Sequence, residues 1–518
     1  MTPALQPEWD GLPDLDDDDQ QDSQALLPDL DELEDAEDDE LLLPDLDDLD
    51  DPMGAGTAPA SDPLYAGAPD YLRSASGLRL GEQAPKPATG QHQRRLDPYY
   101  AGMWERGSHV AWDSAQSLRD RCDASSIAYP EGFRPDSKAA ITHLRSQPAK
   151  LYVAMLSVLD SWGIVTAQQM AAFTGYRQLA SPSDQVVMDL FSAGLIQIGR
   201  MQYAFNMEEL ADQHTAYRLV SRRAIRRVFG RSWTSAEYLQ CDGGQFRWPM
   251  TGYLDRHNIL AAEVALRAAE SLSACSTVLG EKWCNGQMMF PEDYATISGR
   301  ERNPIRPDAA IMLRNGLRVL VELQASASAE SFNKKIQRYA TMMMNKPLDE
   351  TGLVVVFVSA PAKTSTAASH EYLQRHLYHA LKNWPARGED SPGQRIGFAK
   401  WEDWFTPTGE LTESFHDLNV VLPAASRVSS LVEMDGDFTP HTGVDLSAPL
   451  RTAPVLAGTP WWLRQGDHTP LISAPSAVTG YGSPTPEKHL VMDSGAIRSR
   501  VRLPARLRAE GRKTSGQD

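Results

Sequence analysis

Two carboxylates stand near the ends of two strand-like runs that a tight turn joins. Asp308 precedes the apolar run 309–313, and Glu322 lies near the end of the alternating run 317–324, with Asn315-Gly316 between the runs. Antiparallel pairing places the start of the first strand beside the end of the second, so we expect both carboxylates to reach one divalent cation. Two hard oxygen ligands, with room for water and a phosphate, suit Mg²⁺ or Mn²⁺. The alternative is that Asp308 caps a turn and that Glu322 faces solvent.

The elements around this pair alternate between helices and strands. Apolar periodicity predicts helices over 259–273, 330–343 and 367–381, and strands over 353–359 and 395–400. The region 276–290 is strand-like but has no clear boundaries. The order of helix, strands, helix and strand predicts a mixed sheet with helices on both faces.

Upstream of this region, three helices and a short hairpin are predicted in succession. The first helix begins near Ala149, the second opens on Thr166 as its N-cap, and the third runs from Ser181 or Ser183 to Gly194. Strand-like runs on either side of Gly199-Arg200 follow. This order is typical of a winged helix-turn-helix, whose third helix usually enters the DNA major groove. A three-helix unit can equally serve protein contacts.

A group of arginines follows with no acidic residue among them. Its members are Arg218, Arg222, Arg223, Arg226, Arg227 and Arg231. Spacings of four residues would stack them in two adjacent columns on one helix. Such a face can neutralise DNA phosphates, and the binding would then depend steeply on salt. The alternative is an ordinary solvated face.

The charge of the chain is unevenly distributed. The 518 residues carry a net charge of −19, but residues 1–52 hold 22 acids and no base. The remainder has 47 acids against 50 bases, a net of +3. Dense like charge predicts a disordered tail. Its repeats of Leu-Pro-Asp-Leu-Asp, at 12–16, 27–31 and 43–47, suggest docking motifs for host replication or transfer proteins, a phosphate mimic that competes for a basic surface, or only a solubilising segment.

The composition predicts six segments and a soluble protein. They are the acidic tail 1–52, a linker 53–134, the winged helix-turn-helix 135–215, an arginine-rich helix and connector 216–256, the sheet domain 257–422 and a Pro/Gly/Ser-rich region 423–518 that ends in a basic tail. Four cysteines without a Cys-x-x-Cys pair argue against a zinc ribbon or a disulfide framework and favour the cytoplasm. No apolar stretch approaches the roughly 20 residues that span a bilayer, so we expect no membrane partner.

Four short pieces of the sequence follow one another along this region: His257-Asn-Ile-Leu, Arg306-Pro-Asp308, Glu322-x-Gln324 and Lys335-Ile-Gln-Arg-Tyr339. In these pieces and their order, residues 257–400 resemble the PD-(D/E)XK nuclease superfamily, and the stretch 149–400 resembles the replication-relaxation family of actinobacterial plasmids and integrative elements. The resemblance covers about half of the chain. It implies a fold of a winged helix followed by a mixed, helix-flanked sheet.

The resemblance also implies site residues. Asp308 and Glu322 would bind the metal, and Glu263 on the first core helix would add a carboxylate. The third motif position, normally a lysine, is Gln324, whose amide can hydrogen-bond but carries no charge. Lys334 or Lys335 on the neighbouring helix could supply the missing charge. Loss of the lysine is equally expected in a nuclease fold kept only as a DNA-binding scaffold.

We therefore expect a mobile-element protein that binds double-stranded DNA in plasmid replication or transfer. In one hypothesis it is a Mg²⁺- or Mn²⁺-dependent endonuclease or nickase with Asp308, Glu322, Gln324 and Lys335 as catalytic residues. The alternative is a non-catalytic winged-helix replication or transcription factor with a degenerate nuclease fold. His370, His376 and His379 share one predicted helix, but the chain lacks the histidine spacings of zinc proteases and rolling-circle relaxases.

Overall fold

The described part of the chain contains two β-sheets and the helices packed around them. The computed structural model describes residues 95, 97–105, 108–202, 215–233, 235–241, 255–272, 274–284, 305–313, 315–324, 329–344, 347–361, 370–381, 384, 391–407, 411–422, 427–432, 434 and 458–460. All of them belong to one compact unit that spans 59–518. The acidic tail with its repeats, and the basic C-terminal tail, lie outside the described residues.

The fold is mixed α+β. The strands are β1 (His109–Asp113), β2 (Ile164–Thr166), β3 (Ile196–Gln202), β4 (Thr215–Leu219), β5 (Cys275–Gly280), β6 (Ala309–Leu313), β7 (Arg318–Gln324), β8 (Leu353–Ser359), β9 (Ile396–Lys400), β10 (Asn419–Leu422) and β11 (Arg427–Ser430). The helices are α1 (Ala115–Ser125), α2 (Ser137–Ser146), α3 (Lys150–Trp162), α4 (Ala167–Thr174), α5 (Gln185–Ser192), α6 (Arg222–Phe229), α7 (Ser235–Cys241), α8 (Asp255–Ser271), α9 (Ala329–Met344), α10 (Leu348–Thr351), α11 (His370–Leu381), α12 (Trp401–Trp404) and α13 (Glu413–His416).

The smaller sheet accompanies the three helices that the sequence predicts. Its strand order is β1-β3-β4-β2, and every pair is antiparallel. The predicted N-cap of α4 is confirmed, because the Thr166 hydroxyl accepts from the Gln169 backbone N–H (3.1 Å). The Gln169 side chain in turn accepts from the Thr166 N–H (2.9 Å), which completes a capping box.

Helix α5, the third of these helices, is packed inside the protein. Residues 187–192 are all buried. Asp189 accepts hydrogen bonds from Tyr152 (3.0 Å) and Gln185 (2.7 Å), and it lies 3.3 Å from His143 Nε2. Helix α2 and the segment before it cover this helix, with Phe133 against Phe191 at 5.8 Å between ring centroids. Helix α5 therefore cannot enter a DNA groove while this cover stays in place.

The larger sheet has seven strands in the order β11-β10-β9-β8-β7-β6-β5. The pairs β7–β8 and β8–β9 are parallel, and the others are antiparallel. Alternate residues of the strands face opposite layers, so Val319 and Val321 pack with α8, whereas Leu320 and Ala310 pack with α9 and α11. The mixed sheet with helices on both faces is as the sequence predicts.

The boundaries differ from the sequence prediction at both ends of the folded part. Strand β1 and helix α1 lie within the segment predicted as a linker, and β11 lies beyond residue 422. Strand β1 is an edge strand of five residues, too short for its alternation to stand out in the sequence. One hydrophobic cluster joins residues of both sheets, so the two predicted domains share a core. Among the described helices, none has the length and apolar character needed to cross a membrane.

Candidate active site

The hairpin brings Asp308 beside Glu322. Ala309 pairs with Val321 across β6 and β7. One residue further, the Asp308 N–H donates to the Val321 carbonyl (3.0 Å), and its carboxylate accepts from the Leu323 N–H (2.6 Å). These two contacts bracket Glu322, so the carboxylates are neighbours on adjacent strands. Asp308 is 8% exposed and Glu322 is fully buried.

Helices from two sides supply a cation to each carboxylate. His257 Nε2 at the start of α8 lies 2.6 Å from Asp308 Oδ1. On α9, Lys335 forms an ion pair with Glu322 Oε2, and the Tyr339 hydroxyl donates to Glu322 Oε1. Lys335 and Tyr339 are four residues apart, so one face of α9 presents both to the same carboxylate.

A third acid, Glu281, belongs to the same group. It follows β5 directly, in a short 3-10 helix (Glu281–Trp283). Burial, together with the charge of Asp308, raises the pKa of Glu281 to about 7. We call His257, Glu281, Asp308, Glu322 and Lys335 the carboxylate cluster.

The carboxylate cluster holds more negative charge than its cations balance. Burial raises the pKa of Glu322 to about 7; Lys335 opposes that rise, and Asp308 adds to it. Burial also acts to raise the pKa of Asp308, but His257 and Lys335 outweigh it and hold this pKa below its ordinary value. Burial acts to lower the pKa of Lys335, and the attraction of Glu322 and Asp308 raises it above its ordinary value. Two acids with a pKa near 7 indicate that a further positive charge would be favourable here.

These residues fit a magnesium or manganese ion better than zinc. No group of three or more His, Cys, Asp and Glu side chains within the described ranges has the arrangement of a complete metal site. Zinc needs three or four protein ligands, whereas Mg²⁺ is commonly held by one or two carboxylates together with water and substrate phosphate. Asp308 and Glu322 are the two side chains that would hold such an ion.

Glu263 does not join this pair, which corrects the expectation of a third metal ligand there. Its carboxylate accepts from Arg95 Nε (3.0 Å) and Arg267 Nε (2.7 Å), and Gln169 donates a further hydrogen bond. Six residues separate it from His257 on α8, which turns the two side chains about 120° apart around the helix axis. Glu263 therefore belongs to a buried ion-pair group between α8 and the segment at Arg95.

Gln324 stands at the end of β7, two residues beyond Glu322 and on the same face. It is 6% exposed, and its amide makes no hydrogen bond within the described part of the chain. The sequence alone does not identify Glu281 as a site residue, and it indicates no role for His257. The available signal for Glu281 is an acid directly after the short apolar run that ends at Gly280.

The arginine group is divided between a strand and a helix. Helix α6 begins after Ser221, whose hydroxyl accepts from the Ala224 N–H (3.1 Å). The side chains of Arg223, Arg226 and Arg227 are exposed, and we call these three residues the arginine surface. The side chains of Arg222 and Arg231 lie outside the described residues.

Arg218 lies on β4 and not on this helix, so the prediction of one helix through all six arginines is wrong. Its side chain is buried, with the guanidinium 4.2 Å from the centroid of the Trp112 ring and Nε 2.6 Å from the Gln197 side-chain oxygen. An arginine held in this way packs the small sheet and is not available to a phosphate.

No family model, curated protein or solved structure matches this chain. Function is therefore inferred from the geometry of the carboxylate cluster and the arginine surface.

Proposed function

We propose that this chain binds double-stranded DNA and hydrolyses a phosphodiester bond at Asp308 and Glu322 with Mg²⁺ or Mn²⁺, as a nuclease-like protein of the replication-relaxation type. The observation that carries the proposal is the pair of buried neighbouring carboxylates with Lys335 ion-paired to one of them. The order α8, β5, β6, β7, α9, β8 supports a PD-(D/E)XK-like core. The order α3, β2, α4, α5, β3, β4 supports a winged helix before it.

Each residue of the site has a distinct role in this proposal. A bound ion would polarise the phosphate and lower the pKa of a bound water. Lys335 places a positive charge where the attacking water and the phosphate meet, as the motif lysine would from position 324. Gln324 donates one of its two amide N–H groups to this phosphate, a neutral hydrogen bond that leaves the other N–H available to a neighbouring group. His257 fixes the orientation of Asp308, and Tyr339 fixes that of Glu322.

The arginine surface would hold the duplex, since helix α5 is covered. Ala224, Ile225, Val228 and Phe229 anchor α6 in the core and leave the arginines on its outer face. Arg145 donates to the carbonyls of Arg227 and Val228, which fixes the end of this helix. Contacts of this kind read the phosphate backbone and carry little sequence information.

Nicking of supercoiled plasmid by the full chain in Mg²⁺ or Mn²⁺ tests the catalytic proposal. We expect Asp308→Ala to abolish nicking and to leave gel-shift affinity within a few fold. Lys335→Met should lower the rate by about 10²- to 10³-fold, because it removes a charge from the site. The matched control is Lys334→Met, since Lys334 is exposed on the same helix. Equal nicking by wild type and Asp308→Ala would end the proposal.

The salt dependence of duplex binding tests the arginine surface. We expect Arg223→Gln combined with Arg227→Gln to reduce the slope of log K against log salt by about 2, because each lost phosphate contact accounts for about 0.9. Arg121→Gln combined with Arg177→Gln removes the same charge from exposed positions elsewhere. If both double variants change the slope equally, binding is not localised to α6.

A non-catalytic DNA-binding protein is the second candidate. Two observations favour it: His257 and Lys335 already pair with the carboxylates, and Gln324 replaces the motif lysine. This candidate predicts duplex binding without metal-dependent nicking and without any difference in DNA affinity between wild type and Asp308→Ala. Recruitment of host replication or transfer proteins by the acidic tail stays a prediction in either case.

A further inference from the structure

One row beyond Glu322, the three parallel strands carry polar residues on the face of the candidate active site. Gln324 on β7 pairs with Ser359 on β8, and Ser359 pairs with Lys400 on β9. Two residues earlier, Glu322 pairs with Phe357 on β8. Because side chains alternate between faces along a strand, the row of Gln324, Ser359 and Lys400 shares the face of Glu322. Neighbours in this row stand on adjacent strands, about 4.8 Å apart across the sheet.

A histidine is fixed above the middle of this row. His370 Nδ1, at the first residue of α11, lies 2.8 Å from Ser359 Oγ. Its Nε2 lies 3.0 Å from a Glu402 oxygen. Tyr99 donates to the other oxygen of Glu402 (2.7 Å), so the carboxylate that orients the imidazole is itself held in place.

The groups in this row that lack partners are hydrogen-bond donors. The amide of Gln324 and the ammonium of Lys400 make no hydrogen bond or ion pair in the described part of the chain. Lys400 is partly exposed, so its ammonium can meet a ligand at low desolvation cost. Glu402 is already engaged by His370 and Tyr99. The start of the 12-residue helix α11 adds a partial positive charge at His370. An anion suits such a set of groups.

We propose that Gln324, Ser359 and Lys400, with His370 fixing the Ser359 hydroxyl, form a second phosphate-binding subsite, which holds a phosphate of the DNA strand adjacent to the phosphate at Asp308 and Glu322. The inference rests on the proposed function, because it assigns a neighbouring phosphate of the same substrate. Ligands of open α/β sheets bind beyond the carboxyl ends of the parallel strands, which is where this row lies. Strand geometry puts the row on the order of 7 Å (Gln324) to 12 Å (Lys400) from Glu322, so its near end lies within reach of the next phosphate of the same DNA strand.

Titration calorimetry of the full chain with two small probes tests this subsite. Thymidine 3′,5′-bisphosphate carries two phosphates on one nucleoside, and thymidine 5′-monophosphate carries one. In Mg²⁺ we expect wild type to bind the bisphosphate about tenfold more tightly than the monophosphate. Lys400→Met should remove this preference, and Lys400→Arg should retain it. Since Lys400 has no partner within the described residues, its loss should leave folding unchanged.

Two further variants separate this subsite from the metal site and from net charge. Lys138→Met removes an equal charge from an exposed position on α2 and should keep the tenfold preference. Asp308→Ala should remove the effect of Mg²⁺ on the affinity but keep the preference that depends on Lys400. The subsite is overturned if Lys400→Met still prefers the bisphosphate as strongly as wild type does. It is also overturned if wild type binds neither probe. If the affinity of wild type for the probes is the same with and without Mg²⁺ but still depends on Lys400, the metal site alone is overturned.

Discussion

Helix α8 contributes to two groups of buried charges that differ in their exposure to solvent. In the first, which we call the salt-bridge cluster, Arg95 and Arg267 meet Glu263 and Glu270. In the second, the carboxylate cluster, three acids meet His257 and Lys335. The first cluster is buried on all sides, whereas Lys335 and His257 keep 35% and 22% of their side chains exposed.

Burial alone would raise the pKa of Glu263, but Arg95 and Arg267 outweigh burial and lower it. Burial raises the pKa of Glu322 to about 7, and Lys335 does not restore the ordinary value. Burial also raises to about 7 the pKa of Asp97, which interacts with Glu263 and Arg267 of the salt-bridge cluster. A buried acid with a raised pKa therefore does not by itself indicate an active site. Exposure of the cluster to solvent is the better indicator, because a substrate can reach it.

The largest effect that we expect is on the stability of the salt-bridge cluster. Arg95→Met leaves Glu263 and Glu270 short of a partner and should lower the free energy of unfolding by about 3 to 5 kcal/mol. Arg121→Met, which breaks an exposed ion pair with Asp113, should change it by less than about 1 kcal/mol. Urea denaturation of both variants measures the difference. Similar losses in the two variants would contradict the assignment of Arg95 to a buried ion-pair cluster.

A smaller change in the free energy of unfolding, in this case a gain, is expected when an acid is removed from the carboxylate cluster. The folded protein holds the Glu281 proton up to a pKa of about 7, whereas the unfolded chain releases it near the ordinary value of 4.5. Charged Glu281 therefore costs stability increasingly as the pH rises from about 4.5 to 7. In EDTA, we expect the unfolding free energy of Glu281→Gln minus that of wild type to increase by about 2 kcal/mol from pH 5 to pH 8.

Denaturation at both pH values, with Glu131→Gln at an exposed acid as the control, measures this gain. A difference between Glu281→Gln and wild type that is the same at pH 5 and pH 8 would show that Glu281 is not part of an acid-rich cluster.

The sequence predicted the hairpin because its signals are local. Apolar alternation, the Asn315-Gly316 turn and the position of Asp308 before the strand are enough to place the two carboxylates side by side. Lys335 could be named because α9 follows β7 directly and its partner Glu322 was already known. The capping box at Thr166 is likewise a local signal.

The remaining features depend on contacts between distant parts of the chain. Glu263 and His257 share a helix, but their roles differ because Glu263 pairs with Arg95, which lies 168 residues away in the sequence. Arg218 fits a four-residue spacing with Arg222, yet pairing with β2 and β3 draws it into a strand. Residues 129–146 cover α5, and they contain no local signal that predicts this position.

Iron-mediated cleavage of the protein backbone shows where a bound divalent cation lies on the chain. Fe²⁺ replaces Mg²⁺ at oxygen-ligand sites, and with peroxide it cuts the chain beside the residues that hold it. If Asp308 and Glu322 hold the ion, fragments end near these two residues, are suppressed by excess Mg²⁺, and are lost in Asp308→Ala but retained in Glu263→Gln. Fragments from the acidic residues 1–52 alone, or a pattern that Asp308→Ala leaves unchanged, would show that these two carboxylates do not hold it.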